Sequence, residues 1–249
     1  MKQLKRFDQI IQFNQSKDYV LGFIGFGSMH HKHRLDAYSD IDFFIIVDDD
    51  YKETFLKDIS WLEVAPIAWW YQETKDGLKV IYNDGIFLEF AVFTQSELSG
   101  IPFETGTVYY LKEGVSEHIF APKQLPKKDI DKTYVFNTWL SNLYIGLLRE
   151  MRGEKVAAFL MIQVYASHHF LTLLNPKVDD PFVVERRIES RLSLDYEVLY
   201  AGYQGNMDSA KYQLLVLDET FEIPEIFEQS FKDIFAFLEE KNNEKNNHF

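Results

Sequence analysis

Apolar positions recur with two different periods along the chain, and the change of period predicts two structural parts. Near the N-terminus, Leu4, Phe7 and Ile11 recur at helical spacing and predict an amphipathic helix over residues 3–17. From Tyr19 onward, short apolar runs bounded by Gly, Asp and Asn predict β-structure. The predicted strands are Val20–Phe26, Ile41–Val47, Val64–Tyr71, Leu78–Tyr82, Ile86–Phe93 and Thr107–Leu111.

Two tight-turn sequences connect the middle strands. Lys75-Asp76-Gly77 and Asn83-Asp84-Gly85 have the residues that short hairpin turns prefer, so the strands beside them should form a β-meander. A helix over part of Tyr51–Leu62 interrupts the series of strands.

After a linker marked by Pro122 and Pro126, the apolar period becomes helical. Asp180-Pro181 supplies an N-cap residue followed by proline at the first helical position, which predicts a helix start. The predicted helices run from Phe136 to Met151, over Glu154–Leu174, from Asp180 through Glu189, and from Pro224 onward.

These elements predict the α+β class. An N-terminal α/β domain with a mixed sheet should occupy residues 1–121, and a helical bundle should occupy residues 127–242. The polar tail, residues 243–249, is low in complexity and is expected to fray.

Charge and composition exclude several classes of function. The chain of 249 residues has 26 Lys and Arg against 39 Asp and Glu, a net charge of −13, which argues against a nucleic-acid partner because such binding needs a basic surface. With no cysteine, disulfide frameworks, thiol catalysis and cysteine-based zinc sites are excluded. Charged residues interrupt the N-terminal apolar run, and no stretch approaches the roughly 20 apolar residues of a membrane span. We therefore expect a cytoplasmic protein that does not interact with membranes.

The most informative segment lies between Gly25 and Asp50. A strand leads into Gly27-Ser28, and a second strand opens on Asp40-Ile41-Asp42. Because side chains alternate along a strand, the two aspartates share one face, where their charges would repel without a partner. Mg²⁺ is a suitable partner, since it prefers one or two carboxylates together with substrate phosphates. Gly27 would let a phosphate approach the backbone, and Ser28 offers a hydroxyl and an N–H group.

A third carboxylate, Glu89, lies inside an apolar strand sequence, IFLEFAVF. It faces either solvent or a site. If it converges on Asp40 and Asp42, the three carboxylates form a cluster that can bind a metal and accept a proton.

On these residues the sequence resembles the nucleotidyltransferase superfamily. Gly27-Ser28, a spacer, Asp40-Ile41-Asp42 and a distant carboxylate in a strand form its signature. The stretches YSDID, WLEVAPIAWWYQ and VIYNDGIFLEFAVF resemble the lincosamide nucleotidyltransferases, relatives of the aminoglycoside enzymes, over roughly residues 20–100. The helical half is similar only in kind. Where the lincosamide enzymes have Glu after Ser-Asp-Ile, this chain has Asp42, which can also ligate Mg²⁺ but puts the substrate in question.

The resemblance implies a reaction and a set of roles. A substrate hydroxyl would attack the α-phosphate of a nucleoside triphosphate, most simply transferring AMP from ATP and releasing pyrophosphate. Asp40 and Asp42 would hold Mg²⁺, and Glu89 would be the general base and a ligand of a second ion. Gly27 and Ser28 would hold the triphosphate. The implied acceptor is a lincosamide or aminoglycoside antibiotic, which implies a role in antibiotic resistance, and the related enzymes imply a homodimer.

Other readings stay open at this stage. The domain could modify or bind a protein partner, as in toxin–antitoxin pairs, or it could be a binding module without activity. Lys32 and Arg34 are candidate phosphate ligands, whereas the neighbouring histidines either flank the triphosphate or face water. The sequence leaves open the roles of three further sets of residues: His30, His31 and His33 after Ser28, the pair Arg186 and Arg187, and the pair Trp69 and Trp70, one of which could line the acceptor pocket.

Overall fold

The computed structural model describes residues 1–120, 130–174, 184–218 and 220–246. The chain divides into two compact units, Met1–Lys127 and Lys128–Phe249. The first contains a mixed sheet and the second is built from helices, so the predicted α+β class is confirmed.

The first unit is built on a six-stranded sheet with the order β3-β4-β5-β2-β1-β6. Strands β2 and β5 are parallel, and the other strand pairs in this sheet are antiparallel. The strands are β1 (Val20–Gly25), β2 (Ile41–Val47), β3 (Ile67–Gln72), β4 (Gly77–Tyr82), β5 (Phe87–Thr94) and β6 (Thr107–Leu111). The helices of this unit are α1 (Lys2–Asn14), α2 (Gly27–His30), α3 (Lys52–Lys57) and α4 (Gln95–Leu98), with 3₁₀ turns at Lys32–Arg34, Asp49–Tyr51, Ile59–Leu62 and Glu117–Phe120.

Alternating side chains give the sheet two different faces. One face packs under α1 in a large core in which Phe7, Phe43 and Phe90 are buried. On the other face, Ile46 and Phe93 belong to a smaller cluster. Because Asp42 precedes Ile46 by four residues and Glu89 precedes Phe93 by four, both carboxylates lie on the face of this smaller cluster.

The second unit encloses its own apolar core, centred on Trp139, Leu143 and Phe170. Its helices are α5 (Lys132–Met151), α6 (Lys155–Phe159), α7 (Ser167–Leu174), α8 (Tyr196–Leu199), α9 (Asn206–Asp218) and α10 (Glu225–Asn246), with a π-helical stretch at Leu160–Ala166 and a 3₁₀ turn at Ile188–Ser190.

A buried polar network stabilises the π-helical stretch. The Ile162 carbonyl accepts hydrogen bonds from Ser167 Oγ (3.2 Å) and from Gln213 Nε2 (3.1 Å). Gln213 also accepts a bond from the Trp139 indole at 3.0 Å. Side chains of α7 and α9 therefore add donors to a carbonyl of the wider turn, so that the buried polar groups pair with one another.

The helix predicted from Asp180 through Glu189 is wrong over its described part, and its start at Asp180-Pro181 lies outside the described residues. Residues 184–187 form turns, followed by the 3₁₀ turn. Arg187 has φ 59°, in the left-handed region, and a right-handed helix cannot continue through that conformation. Helix α9 was not predicted.

The C-terminal helix is longer than the sequence pattern suggested. Residues 243–246, expected to fray, continue α10 to Asn246, because no proline or glycine interrupts this polar stretch. Residues 247–249 lie outside the described part of the chain.

One helical segment in the described ranges, Lys155–Leu174, is long and apolar enough to cross a membrane. In this protein 44% of the tested window is buried. A core helix of a water-soluble protein passes the same test, so this finding is weak evidence for a span.

Candidate functional site

The parallel pairing of β2 and β5 places Asp42 directly beside Glu89. Asp40, just before β2, joins them, and the carboxylate oxygens of the three residues lie within 4.8 Å of one another. Asp40 and Asp42 are half-buried, and Glu89 is exposed. The sheet therefore brings together the three carboxylates that the sequence singled out as the candidate catalytic and metal-binding residues.

The turn that follows β1 forms hydrogen bonds with the backbone of both aspartates. The backbone N–H of Phe26 donates to the Asp42 carbonyl at 2.9 Å, and Ser28 Oγ donates to the Asp40 carbonyl at 3.4 Å. Ser28 is buried. In this arrangement the turn after β1 is hydrogen-bonded to the backbone of both aspartates.

Gly27 lies where a side chain would be strained and would displace Asp42. Its φ is +49°, and a Cβ added there would lie 2.6 Å from Asp42 Oδ2. Both the left-handed backbone and the close approach of the carboxylate favour glycine.

The loop after Ser28 is rich in cationic and titratable side chains. Lys32 is exposed and its Nζ lies 5.7 Å from the centre of the Tyr109 ring, whereas Arg34 is half-buried. His30 Nδ1 lies 2.9 Å from Thr107 Oγ1. Burial, and after it the neighbouring His30, lowers the pKa of His31, which favours its neutral form. Lys32 and Arg34 are permanently positive side chains of this loop.

The carboxylate cluster suits a hard divalent cation. Three carboxylates offer the oxygen ligands that Mg²⁺ prefers, and their mutual repulsion is relieved by a bound cation. Among the described residues, a search for three or more acidic or histidine side chains with ligand atoms close enough to hold one ion finds this cluster. The histidines of the Ser28 loop do not form such a group there.

A polar row continues from Glu89 across the sheet. Lys79 on β4 pairs with Glu89, and Tyr71 on β3 pairs with Lys79. Lys79 Nζ lies 3.7 Å from Glu89 Oε1 and 2.8 Å from Glu73 Oε1. The Tyr71 hydroxyl donates to the same Glu73 oxygen at 3.0 Å.

Lys79 and Glu73 in this row stabilise each other's charged form. The hydrogen bond to Glu73 raises the pKa of Lys79. The bond from Lys79, and after it the bond from Tyr71, lowers the pKa of Glu73. Lys79 and Glu73 are thus charged together over the neutral pH range.

Sequence reasoning missed Lys79 and Glu73. The available signals were the two turns. The turn at Asp76-Gly77 sets the register of β3 on β4, and the turn at Asn83-Asp84-Gly85 sets the register of β4 on β5, which pairs Lys79 with Glu89.

The remaining candidates lie outside the cluster. Asp48, Asp49 and Asp50 are exposed at the start of the 3₁₀ turn after β2. His168 Nδ1 lies 2.7 Å from Glu185 Oε1 in the helical unit, and Arg186 and Arg187 are exposed there.

The sequence matches no protein-family model and no curated protein. Among solved structures, the chain is similar to an aminoglycoside 6-adenyltransferase from Bacillus subtilis, with a TM-score of 0.36, 13% identity, and coverage of 95% of this chain and 98% of that one. It is similar to a spectinomycin adenyltransferase from Enterococcus faecialis, solved with ATP and spectinomycin (TM-score 0.28, 12% identity, coverage 95% and 96%). A STING-associated c-di-GMP synthase from Capnocytophaga granulosa is also similar (TM-score 0.33, 12% identity, coverage 100% and 82%).

The resemblance to nucleotidyltransferases thus recurs among solved structures.

Proposed function

We propose that this protein is a metal-dependent nucleotidyltransferase that moves a nucleoside monophosphate, AMP from ATP, to a hydroxyl of a small molecule. The observation that carries the proposal is the convergence of Asp40, Asp42 and Glu89, whose ligand oxygens lie within 4.8 Å of one another. Three carboxylates this close, beside a glycine turn, are suited to a cation and a polyphosphate.

The cofactor would be Mg²⁺, in two ions, held by Asp40 and Asp42 with Glu89 as a ligand of the second. When bound, the metal neutralises charge on the reacting phosphate and makes the attacking hydroxyl more acidic.

The residues of the chain would bind and orient the substrates. Gly27 leaves its backbone open to the triphosphate, and Ser28 supplies an N–H group beside it. Lys32 and Arg34 would contact the phosphate oxygens that leave as pyrophosphate.

Glu89 would take the proton from the acceptor hydroxyl. The hydroxyl oxygen forms a bond to the α-phosphorus while the bond from the α-phosphorus to the pyrophosphate oxygen breaks, and the proton passes to a Glu89 oxygen. Exposure of Glu89 lets an acceptor reach this oxygen from the open sheet face.

The acceptor class follows from charge. With a net charge of −13, the protein attracts cations, so an aminoglycoside or lincosamide antibiotic is the proposed acceptor and resistance the proposed role. We further propose that the enzyme works in the cytoplasm, where ATP is supplied, and that it forms a homodimer.

The test is transfer of label from ATP. ATP labelled at the α-phosphate, or in a parallel reaction at the γ-phosphate, is incubated with the full chain, Mg²⁺ and a panel of antibiotics and proteins. Transfer of the α-label alone to a small molecule supports the proposal. Transfer of the γ-label would indicate a kinase instead, and labelling of a protein would favour a protein-modifying enzyme.

Two variants connect the reaction to the cluster. Asp40→Asn should abolish transfer and Mg²⁺-dependent nucleotide binding. Asp48→Asn, which changes an exposed aspartate outside the cluster, should leave both intact. If Asp40→Asn transfers label at the wild-type rate at saturating Mg²⁺, the assignment of Asp40 as a metal ligand is wrong.

A further inference from the structure

We infer that the open sheet face beside Glu89 is the acceptor subsite, and that it binds a saturated ring carrying an ammonium group about 10 Å from the reacting hydroxyl. This inference rests on the proposed function and adds the chemistry and length of the acceptor. It is carried by Trp69, Tyr71 and Glu73, three residues of the first unit.

Two aromatic rings stand exposed at the edge of the sheet. Trp69 and Tyr71 lie two residues apart on β3, so they share a face, and their ring centroids are 4.9 Å apart. Their residues are 48% and 38% exposed. Because Tyr71 pairs with Lys79 and Lys79 with Glu89, this is the face that carries the carboxylate cluster.

The carboxylates beside the rings select for positive charge. Glu73 and Glu89 flank the ammonium group of Lys79, so these three side chains together carry a net charge of −1. The Glu73 side chain is 40% exposed and accessible to a ligand. An ammonium group placed between Glu73 and the aromatic faces gains both a charge-assisted hydrogen bond and cation–π attraction.

The register of the sheet sets the length of the acceptor. Tyr71 lies two strands from Glu89, which corresponds to about 10 Å at the usual strand spacing. An acceptor whose hydroxyl reaches Glu89 and whose ring rests on Trp69 and Tyr71 must span this distance. Two linked saturated rings do so.

The exposed aromatic surface is too small for a protein partner. Trp and Tyr each contribute about 150–250 Å² when fully exposed, so two rings that are roughly half exposed offer about 250 Å² at most. A stable protein interface buries about 800 Å² on each partner, of which a little over half, roughly 450 Å², is apolar. A small molecule fits the available surface.

The experiment measures acceptor binding apart from transfer. The full chain, saturated with Mg²⁺ and a non-hydrolysable ATP analogue, is titrated calorimetrically with three cationic probes: kanamycin, spectinomycin and lincomycin. Trehalose, a neutral compound of two linked rings, is the matched neutral probe. Binding of a cationic probe and not of trehalose is expected.

Three variants locate the binding. Trp69→Ala and Glu73→Gln should each weaken binding of the cationic probe about 3- to 30-fold, the range expected for a lost cation–π or ionic contact. Trp70→Ala is the matched control, because Trp70 is 39% exposed but points to the opposite face of β3, and it should bind as the wild type does. Affinity for the ATP analogue should be the same in all three variants, and circular dichroism checks that each is folded.

Several results would overturn the inference. These are failure of the wild type to bind any cationic probe, equal binding of trehalose, or equal losses in Trp70→Ala and Trp69→Ala. If Trp69→Ala fails to fold, the affinity of Glu73→Gln for the cationic probe tests the inference by itself. If the chain binds the ATP analogue but none of the cationic probes, the subsite is wrong and the proposed transferase function stands. If the chain binds a cationic probe but not the ATP analogue, the proposed transferase function is wrong and the subsite stands.

Discussion

The backbone of Gly27 approaches the carboxylate of Asp42 so closely that a methyl group would not fit between them. A Cβ on Gly27 would lie 2.6 Å from Asp42 Oδ2, and the φ of Gly27 is +49°. The contact of Gly27 with phosphates stays a prediction from the sequence. The structure shows that this glycine lies against a carboxylate of the cluster.

Gly27→Ala should displace the Asp42 carboxylate and weaken Mg²⁺-dependent nucleotide binding at least tenfold. Gly85→Ala is the matched control, because Gly85 also has a positive φ, +79°, but a Cβ there meets nothing within 4 Å. Both changes cost about 1–2 kcal/mol in backbone strain. Calorimetry with Mg²⁺ and the ATP analogue, beside denaturant unfolding, separates strain from displacement. Equal nucleotide affinities in the two variants would contradict the role given to Gly27.

Glu89→Gln should slow the chemical step by about 10²–10⁴-fold, since the amide keeps the size of the side chain but cannot accept the proton. Nucleotide affinity should change little. Single-turnover rates and calorimetric affinities measure the two effects. Glu53→Gln, an exposed glutamate paired with Lys57, is the control and should react at the wild-type rate. If Glu89→Gln instead loses nucleotide binding, Glu89 is chiefly a metal ligand.

His169 should make the second unit less stable in acid. Burial, and after it the neighbouring His168, lowers the pKa of His169 below the ordinary value of 6.5. The unfolded chain therefore takes up this proton at a higher pH than the folded chain does, and stability falls as the pH drops below 6.5. In His169→Gln this contribution is absent, so the urea midpoint should fall less steeply with acid than in the wild type. An acid slope in His169→Gln equal to that of the wild type would contradict this role.

Gln213 should stabilise the π-helical stretch. Gln213→Leu leaves the Trp139 indole without its acceptor and removes one donor from the Ile162 carbonyl, both in a buried region. The expected loss is about 1–3 kcal/mol in the free energy of unfolding. Leu215→Ala, on the same helix but 70% exposed, should change it by less than about 0.5 kcal/mol. Chemical denaturation of both variants decides, and equal losses would contradict the assignment.

Most of the sheet could be predicted from sequence because its strands are bounded by clear signals. The bounds of Ile41–Val47 and Thr107–Leu111 agree with the structure. The sequence predicts that the third strand starts at Val64, but β3 starts at Ile67. It starts there because Pro66 has no N–H group and cannot donate a hydrogen bond to a neighbouring strand.

The helical part was less predictable for a physical reason. Helix α9 buries Asn206, Ser209 and Gln213 along with Ala210 and Leu217, so its buried face is largely polar. An apolar stripe is the signal by which a helix is found in sequence, and this helix lacks one.

The candidate site was predictable in part. Asp40 and Asp42 lie two residues apart at the start of β2, so their proximity follows from local alternation. The neighbours of Glu89 across the hairpins, such as Lys79, follow from the register of the meander, whereas the position of Glu89 beside Asp42 depends on the parallel pairing of β2 with β5, which a single sequence does not specify. For this reason the aspartate pair could be anticipated from the sequence, whereas its meeting with Glu89 could only be posed as a condition.

The parallel pairing of β2 with β5 has a consequence for the order of folding. The β3–β4 hairpin lies between these strands in the chain, so Asp42 and Glu89 become neighbours only when β5 pairs with β2 across that hairpin. Closing so long a loop costs conformational entropy, so we expect this pairing to form more slowly than the hairpin itself. A cation that needs both carboxylates binds only chains in which β2 and β5 are paired, and it therefore stabilises this central pair against separation.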